Sequence, residues 1–165
     1  MGLWNSFKVK NYDNESNKGI TLSFEKGIEP DLRKEYIRFV RWLRRNYAFP
    51  IHINVYVLNC EKVKLLDGRL AYGSFRWYSK RNPRIKIPSL INYADCQGMT
   101  KSEIYDSVLS SLVHELTHYY QWLLNPQQDD HSSERQANYY RFRILDKYYK
   151  DTKRNFQAED VAGSL

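Results

Sequence analysis

Residues 114–118 read His-Glu-Leu-Thr-His, an HExxH sequence. Its chemistry depends on a helix. Residues i and i+4 lie one turn apart on one face, so both imidazoles can point at a single ion. Glu115 is rotated from His114 by about 100° of helix, which sets its carboxylate beside the ion rather than on it. From there it can take a proton from the water that the ion holds, and zinc lowers the pKa of such a water to about 7. The spacing therefore points to one zinc ion per chain, with His114 and His118 as ligands and Glu115 as general base.

A catalytic zinc needs a third protein ligand and an open position. Downstream, Asp129, Asp130, His131 and Glu134 offer donor atoms. Glu134 is the preferred third ligand. It opens a helix-like stretch, Glu134-Arg135-Gln136-Ala137-Asn138, in which Ala137 would let that helix approach the HExxH helix closely. His131 stays open as the competing ligand, or as a group that polarises a substrate carbonyl. Tyr119, Tyr120, His131, Tyr139 and Tyr140 are all possible donors to an oxyanion, and the sequence does not choose among them.

The elements that must hold these residues are legible in the pattern. Thr100 followed by Glu103 fits a capping box, and a helix should run from there to Asn125-Pro126 with Ile104, Val108, Leu112, Leu116 and Leu123 as its core stripe. Ser133 and Gln136 form a second such signal, opening a last helix to about Tyr149. An earlier helix should start at Pro30 and reach about Tyr47, burying Leu32, Tyr36, Phe39, Val40, Leu43 and Tyr47. Its other face is basic, with Arg33, Lys34, Arg38, Arg41, Arg44 and Arg45. That face is a solvated surface or a non-specific nucleic-acid contact.

Strand patterns fall at Ile20–Phe24, Ile51–Val57, Leu70–Tyr78 and Arg84–Ile87. Pro83 and Pro88 flank the last of these and predict a sheet-edge strand that could hold substrate backbone by strand addition. His52 reads as a structural strand residue. Residues 1–19 are loop-like, and residues 150–165 form a polar tail expected to fray or pack loosely.

The 165 residues predict a single α+β domain. Twenty-five aromatic residues (4 Trp, 14 Tyr and 7 Phe) exclude a disordered chain. Cys60 and Cys96 make neither a disulfide framework nor a thiolate zinc cage. The longest apolar run, Val55–Leu58, cannot span a bilayer, and no secretory leader is legible, so the expected location is the cytoplasm without membrane contact. A net charge of +7 attracts anionic partners non-specifically.

HExxH followed by a helix carrying Glu-x-x-Ala resembles the gluzincin metallopeptidases. Glu134–Asn138 is similar to the ExxAN motif of the ImmA/IrrE-type family, and the element order resembles compact minigluzincins and SprT-like domains over about Asp31–Tyr149. The resemblance implies a small zincin-like fold, zinc held by His114, His118 and Glu134, and Glu115 as base. The implied activity is zinc-dependent hydrolysis of peptide bonds, as in a regulatory intracellular protease acting on a protein or peptide. The alternatives are a SprT-like protease acting on DNA-associated proteins, or a non-catalytic basic module binding nucleic acid or protein. SprT-like proteins use a third histidine, which is the role open to His131. His118 and Glu134 stand sixteen positions apart, closer than in thermolysin-like gluzincins, and no cysteine follows Cys96 to build a zinc ribbon.

Overall fold

The computed structural model describes residues 2–7, 19–124 and 127–163, with residues 153–163 described as helical backbone only. The chain is α+β. In order it forms a 3₁₀ turn at Leu3–Asn5, β1 (Ile20–Phe24), α1 (Pro30–Asn46), β2 (Ile53–Leu58) and β3 (Val63–Lys64). There follow β4 (Leu70–Ala71), β5 (Ser74–Arg76), β6 (Arg84–Pro88), a second 3₁₀ turn (Tyr93–Cys96), α2 (Lys101–Leu124) and α3 (Asp130–Gly163).

The main sheet has the order β1-β2-β6-β5, with β3 and β4 forming a separate antiparallel pair. β1 and β2 pair in parallel, as do β2 and β6, while β5 runs antiparallel to β6. The parallel β1–β2 pair requires a crossover, which α1 supplies. Alternation fixes which side is covered. Ile53, Val55, Val57, Ile85 and Ile87 are fully buried, and the residues between them, Asn54, Tyr56, Arg84 and Lys86, point the other way.

All six residues expected to form the core face of α1 are buried, and Trp42 joins them. The α2 core is broader than the expected stripe. Val108 and Leu123 are half-buried, whereas Leu109, Val113, Tyr119 and Tyr120 are buried completely, because α2 packs on both the sheet and α3. The Thr100 capping box forms as expected. Thr100 N donates to Glu103 Oε2 at 2.7 Å, and Glu103 N donates to Thr100 Oγ1 at 3.2 Å.

Four expectations change. Arg84–Ile87 is not at the edge, because β6 lies between β2 and β5. Pro83 falls outside the strand, where its carbonyl accepts from Asn54 N at 3.2 Å, and Pro88 occupies the last ladder position, so neither removes an interior bond. The edge is β5. The stretch Leu70–Tyr78 is not one strand; it breaks at Tyr72-Gly73 into β4 and β5. The cap of α3 is Asp129, whose Oδ1 accepts from Ser132 N at 2.9 Å; this leaves Ser133 inside the helix. α3 also continues past Tyr149 to Gly163, through most of the expected tail. The helix-ending Asn125-Pro126 and most of the loop-like residues 1–19 lie outside the described residues.

The first turn packs against the centre of the molecule. Trp4 is buried against Tyr47 and Tyr120, and its indole Nε1 donates to Thr117 Oγ1 at 3.1 Å, on the back of the HExxH segment. Leu3 N donates to Tyr140 Oη at 2.9 Å. No helix among the described residues is long and apolar enough to cross a membrane.

Candidate metal centre

His114 and His118 project from α2 one turn apart, and Glu134 projects from the first turn of α3. Ala137 is completely buried, so the methyl side chain one turn beyond Glu134 admits the close approach of the two helices. His114 Nε2 lies 3.2 Å from His118 Nε2 and 3.2 Å from Glu134 Oε2, and His118 Nε2 lies 3.1 Å from Glu134 Oε1. A tetrahedral zinc with bonds of about 2.0–2.1 Å needs ligand atoms roughly 3.3–3.4 Å apart. The three groups are spaced as one face of such a tetrahedron, and they form the one metal-ligating cluster of this kind among the described residues.

The protonation of His118 can be deduced from its neighbours. Gln121 Nε2 donates to Ser133 O and to Gln136 Oε1, both at 2.9 Å, so both of its protons are used. Its Oε1 must therefore be the atom 2.8 Å from His118 Nδ1, and an amide oxygen only accepts. Nδ1 carries a proton, and Nε2 is the ring nitrogen that faces the cluster. Ser133 Oγ, 3.2 Å from the same Nδ1 and donating to Gln121 Oε1 at 2.6 Å, completes the support. This is the arrangement by which outer hydrogen bonds orient a ligating imidazole. Burial, then the neighbouring His118, hold His114 below its ordinary pKa, which also favours a neutral, ligating imidazole. Two facing imidazole nitrogens and a carboxylate at these distances call for a proton or a cation between them.

Glu115 occupies the place its helical angle predicts. It is 7% exposed, and its carboxyl is pushed up to about 8 by burial first and the charge of Glu134 second, with Arg141 opposing. Gly73, between β4 and β5, passes directly over it. A Cβ on Gly73 would stand 2.8 Å from Glu115 Oε1 and 2.9 Å from its Cγ. The break in the aromatic stretch thus exists where the backbone must approach this carboxylate.

These residues line a cleft of about 1160 Å³ bounded by α2, α3, the β3–β4 pair and the free edge of β5. The candidate oxyanion donors are not in it. Tyr119 Oη bonds the backbone of Ile51, donating to its carbonyl at 2.5 Å, and Tyr120 Oη donates to Ala48 O at 2.8 Å. Tyr140 Oη accepts from Leu3 N, and Tyr139 is exposed beneath Arg143. His131 is exposed and neither lines the cleft nor joins the cluster. Two arginines line it: Arg69, which pairs with Asp67, and Arg141, unnoticed in the sequence although it lies seven residues, two helical turns, beyond Glu134. Arg141 Nη2 donates to Ser110 Oγ at 3.0 Å, and its buried Nε has no partner. Gln121 carried a comparable signal, three residues beyond His118 on the same helix.

No family model, no curated protein and no solved structure matches the chain. What the cluster can do must be read from its own side chains: two imidazoles and a carboxylate can hold a divalent ion, and a buried carboxylate beside them can move a proton.

Proposed function

We propose that this protein is a zinc-dependent metallopeptidase that hydrolyses peptide bonds. The observation that carries the reading is the convergence of His114 Nε2, His118 Nε2 and the Glu134 carboxylate within 3.1–3.2 Å of one another, beside the buried Glu115, in an open cleft. Three protein ligands with an open side are the donor set of catalytic rather than structural zinc, which is closed by four. When bound, zinc would polarise the scissile carbonyl and acidify the attacking water.

Glu115 takes the proton from that water and passes it to the departing amine nitrogen. One water is consumed, the C–N bond breaks, and a carboxylic acid and an amine form, which leave as carboxylate and ammonium once the acid's proton passes to the amine. Arg141, which lines the cleft, favours the ionised form of Glu115. The free edge of β5 takes the role that Arg84–Ile87 cannot, binding substrate backbone as an added strand along the cleft. Tyr72, Trp77 and Phe142, each more than half exposed at the cleft, favour apolar substrate side chains. The likeness of the two motifs to ImmA/IrrE-type proteins supports a regulatory cut in the cytoplasm.

The test combines metal content with turnover. Purified protein should carry about one zinc per chain and cleave members of a peptide library, with activity abolished by chelation and restored by zinc. Glu115→Gln should keep its zinc and lose at least 10²–10⁴-fold in rate, the usual contribution of general acid–base catalysis. A Glu115→Gln variant that cleaves as fast as wild type would refute the mechanism.

A further inference from the structure

We propose that the outward face of the sheet at β5, β6 and the loop joining them binds single-stranded nucleic acid. Residues 68–94 hold six cations and no carboxylate, so nearly the whole net charge of +7 is concentrated in this segment. Alternation puts Arg84 and Lys86 on the face opposite the buried Ile85 and Ile87. Arg76 lies directly across from Arg84, a like-charge pair that disfavours the sheet. The guanidinium groups of Arg81, Arg84 and Arg76 stand 4.1, 5.3 and 5.4 Å from the centre of the Tyr78 ring.

Among the described residues, none of Arg76, Lys80, Arg81, Arg84 and Lys86 forms an ion pair. Other cations of the chain do find carboxylates, as Lys101 does at Asp31 (2.7 Å), Arg69 at Asp67 (2.6 Å) and Arg38 at Glu35 (3.5 Å). A cation cluster held in place by an aromatic ring, with no internal anion, is preorganised for an external one. Guanidinium forks match phosphate oxygens.

The aromatic content of the patch decides which anion. Tyr56, 37% exposed, lies beside Lys86 in register on the outward face, and the Tyr78 ring stands among the guanidinium groups, whereas Trp77 stacks on Phe75 on the cleft side. Aromatic planes flanking cations offer stacking to unpaired bases, which a duplex does not present. An anionic membrane fits less well, because Tyr56 sits mid-sheet among Asn54, Arg84 and Lys86, with the half-buried Leu58 as the one apolar neighbour along its strand on that face. The surface differs from the basic face of α1 considered from the sequence. There Arg44 donates to Ile20 O, Arg33 covers the Phe24 ring and Arg38 pairs with Glu35, so those cations already serve the fold. The inference stands independently of peptidase activity.

The test is fluorescence anisotropy of the full chain with labelled dT20, rU20, a 20-base-pair duplex and vesicles of mixed neutral and anionic lipid. Single strands should bind tighter than duplex or vesicles. With five cations engaged, affinity should fall roughly a hundredfold between 50 and 200 mM salt. Equal affinity for dT20 and rU20 assigns binding to phosphate and stacking alone; tighter rU20 binding assigns RNA as the ligand. Lys80→Glu/Arg81→Glu, confined to the exposed loop, should weaken binding at least tenfold with unchanged circular dichroism. Tyr56→Ala should weaken it about fivefold to a hundredfold, the worth of one stacked base. Arg41→Ala/Arg45→Ala on α1 should change it less than twofold. The proposal is overturned by loop variants that bind dT20 like wild type, by loss confined to the α1 variant, by absence of binding at 50 mM salt, or by vesicles or duplex binding tighter than dT20.

Discussion

Gly73→Ala probes the contact between backbone and general base without touching a metal ligand. Gly73 is not among the glycines with positive φ, so alanine is conformationally acceptable there. In the absence of a clash, the substitution would stabilise the fold by about 0.4–1 kcal/mol through a less flexible unfolded chain. The clash reverses the sign. A new Cβ would stand 2.8 Å from Glu115 Oε1, about 0.6 Å inside ordinary contact, and Glu115 is a buried residue with little room to give way. Overpacking of this kind costs about 1–3 kcal/mol, which for a chain of this size corresponds to roughly 2–12 °C in Tm. Displacing a catalytic group by 1 Å can cost about 10²-fold, so a shift near 0.6 Å should lower kcat on the order of tenfold while zinc content is kept. Calorimetry of a double-mutant cycle with Glu115→Ala checks the cause. Once the carboxylate is gone, Gly73→Ala should become neutral or stabilising. A Gly73→Ala penalty that is the same with and without Glu115 would show that the clash lies elsewhere, and the reasoning would fail.

The two third-ligand candidates separate by metal titration: Glu134→Ala should weaken zinc binding strongly and His131→Ala should leave it unchanged, the reverse pattern assigning the site to His131. Gln121→Leu removes the acceptor that fixes the His118 tautomer, and zinc affinity should fall by about 10–100-fold with only a small loss of secondary structure by circular dichroism. Glu29 accepts from Tyr105 Oη at 2.8 Å and Tyr93 Oη at 2.9 Å; the Tyr105 bond is the largest effect holding its pKa below 4.5, with Tyr93 and Lys101 acting the same way. Since the folded value is depressed, its contribution is present at neutral pH and is lost as the pH falls through that value. Glu29→Gln should therefore cost at most about 1 kcal/mol at pH 7, for a side chain this exposed, and progressively less in acid, as chemical denaturation at several pH values can read.

Local signals in the sequence were faithful where a single element decides the outcome. The Thr100–Glu103 cap, the core face of α1 and the one-turn spacing of His114 and His118 depend on residues three or four apart, and each forms as expected. The rank of β6 in the sheet depends on which strands pair, and flanking prolines cannot report that when both fall at strand ends. Asp129 displaced Ser133 as a cap because two capping residues four positions apart offer competing registers, and the structure uses the serine at His118 instead. Helical geometry alone could have removed Tyr120 as an oxyanion donor, since it sits two residues, about 200°, from His118. Gly73 and Arg141 were beyond local reading, because each matters through a contact with Glu115 that only the packed tertiary structure creates.

The burial of Trp4 against Thr117 has a kinetic consequence. The two residues are 113 positions apart, and Leu3 and Tyr140 are 137 apart. At a synthesis rate of about 5–20 residues per second, Trp4 waits roughly 6–23 s on the ribosome before its partner is made. Contacts of such separation are closed late, since the entropy of the intervening loop must be overcome before they contribute. The back of the HExxH helix is therefore among the last surfaces to be completed. The histidines are made close together and can meet a metal ion early, whereas the rigid platform beneath them forms only once the first residues have folded back onto the chain.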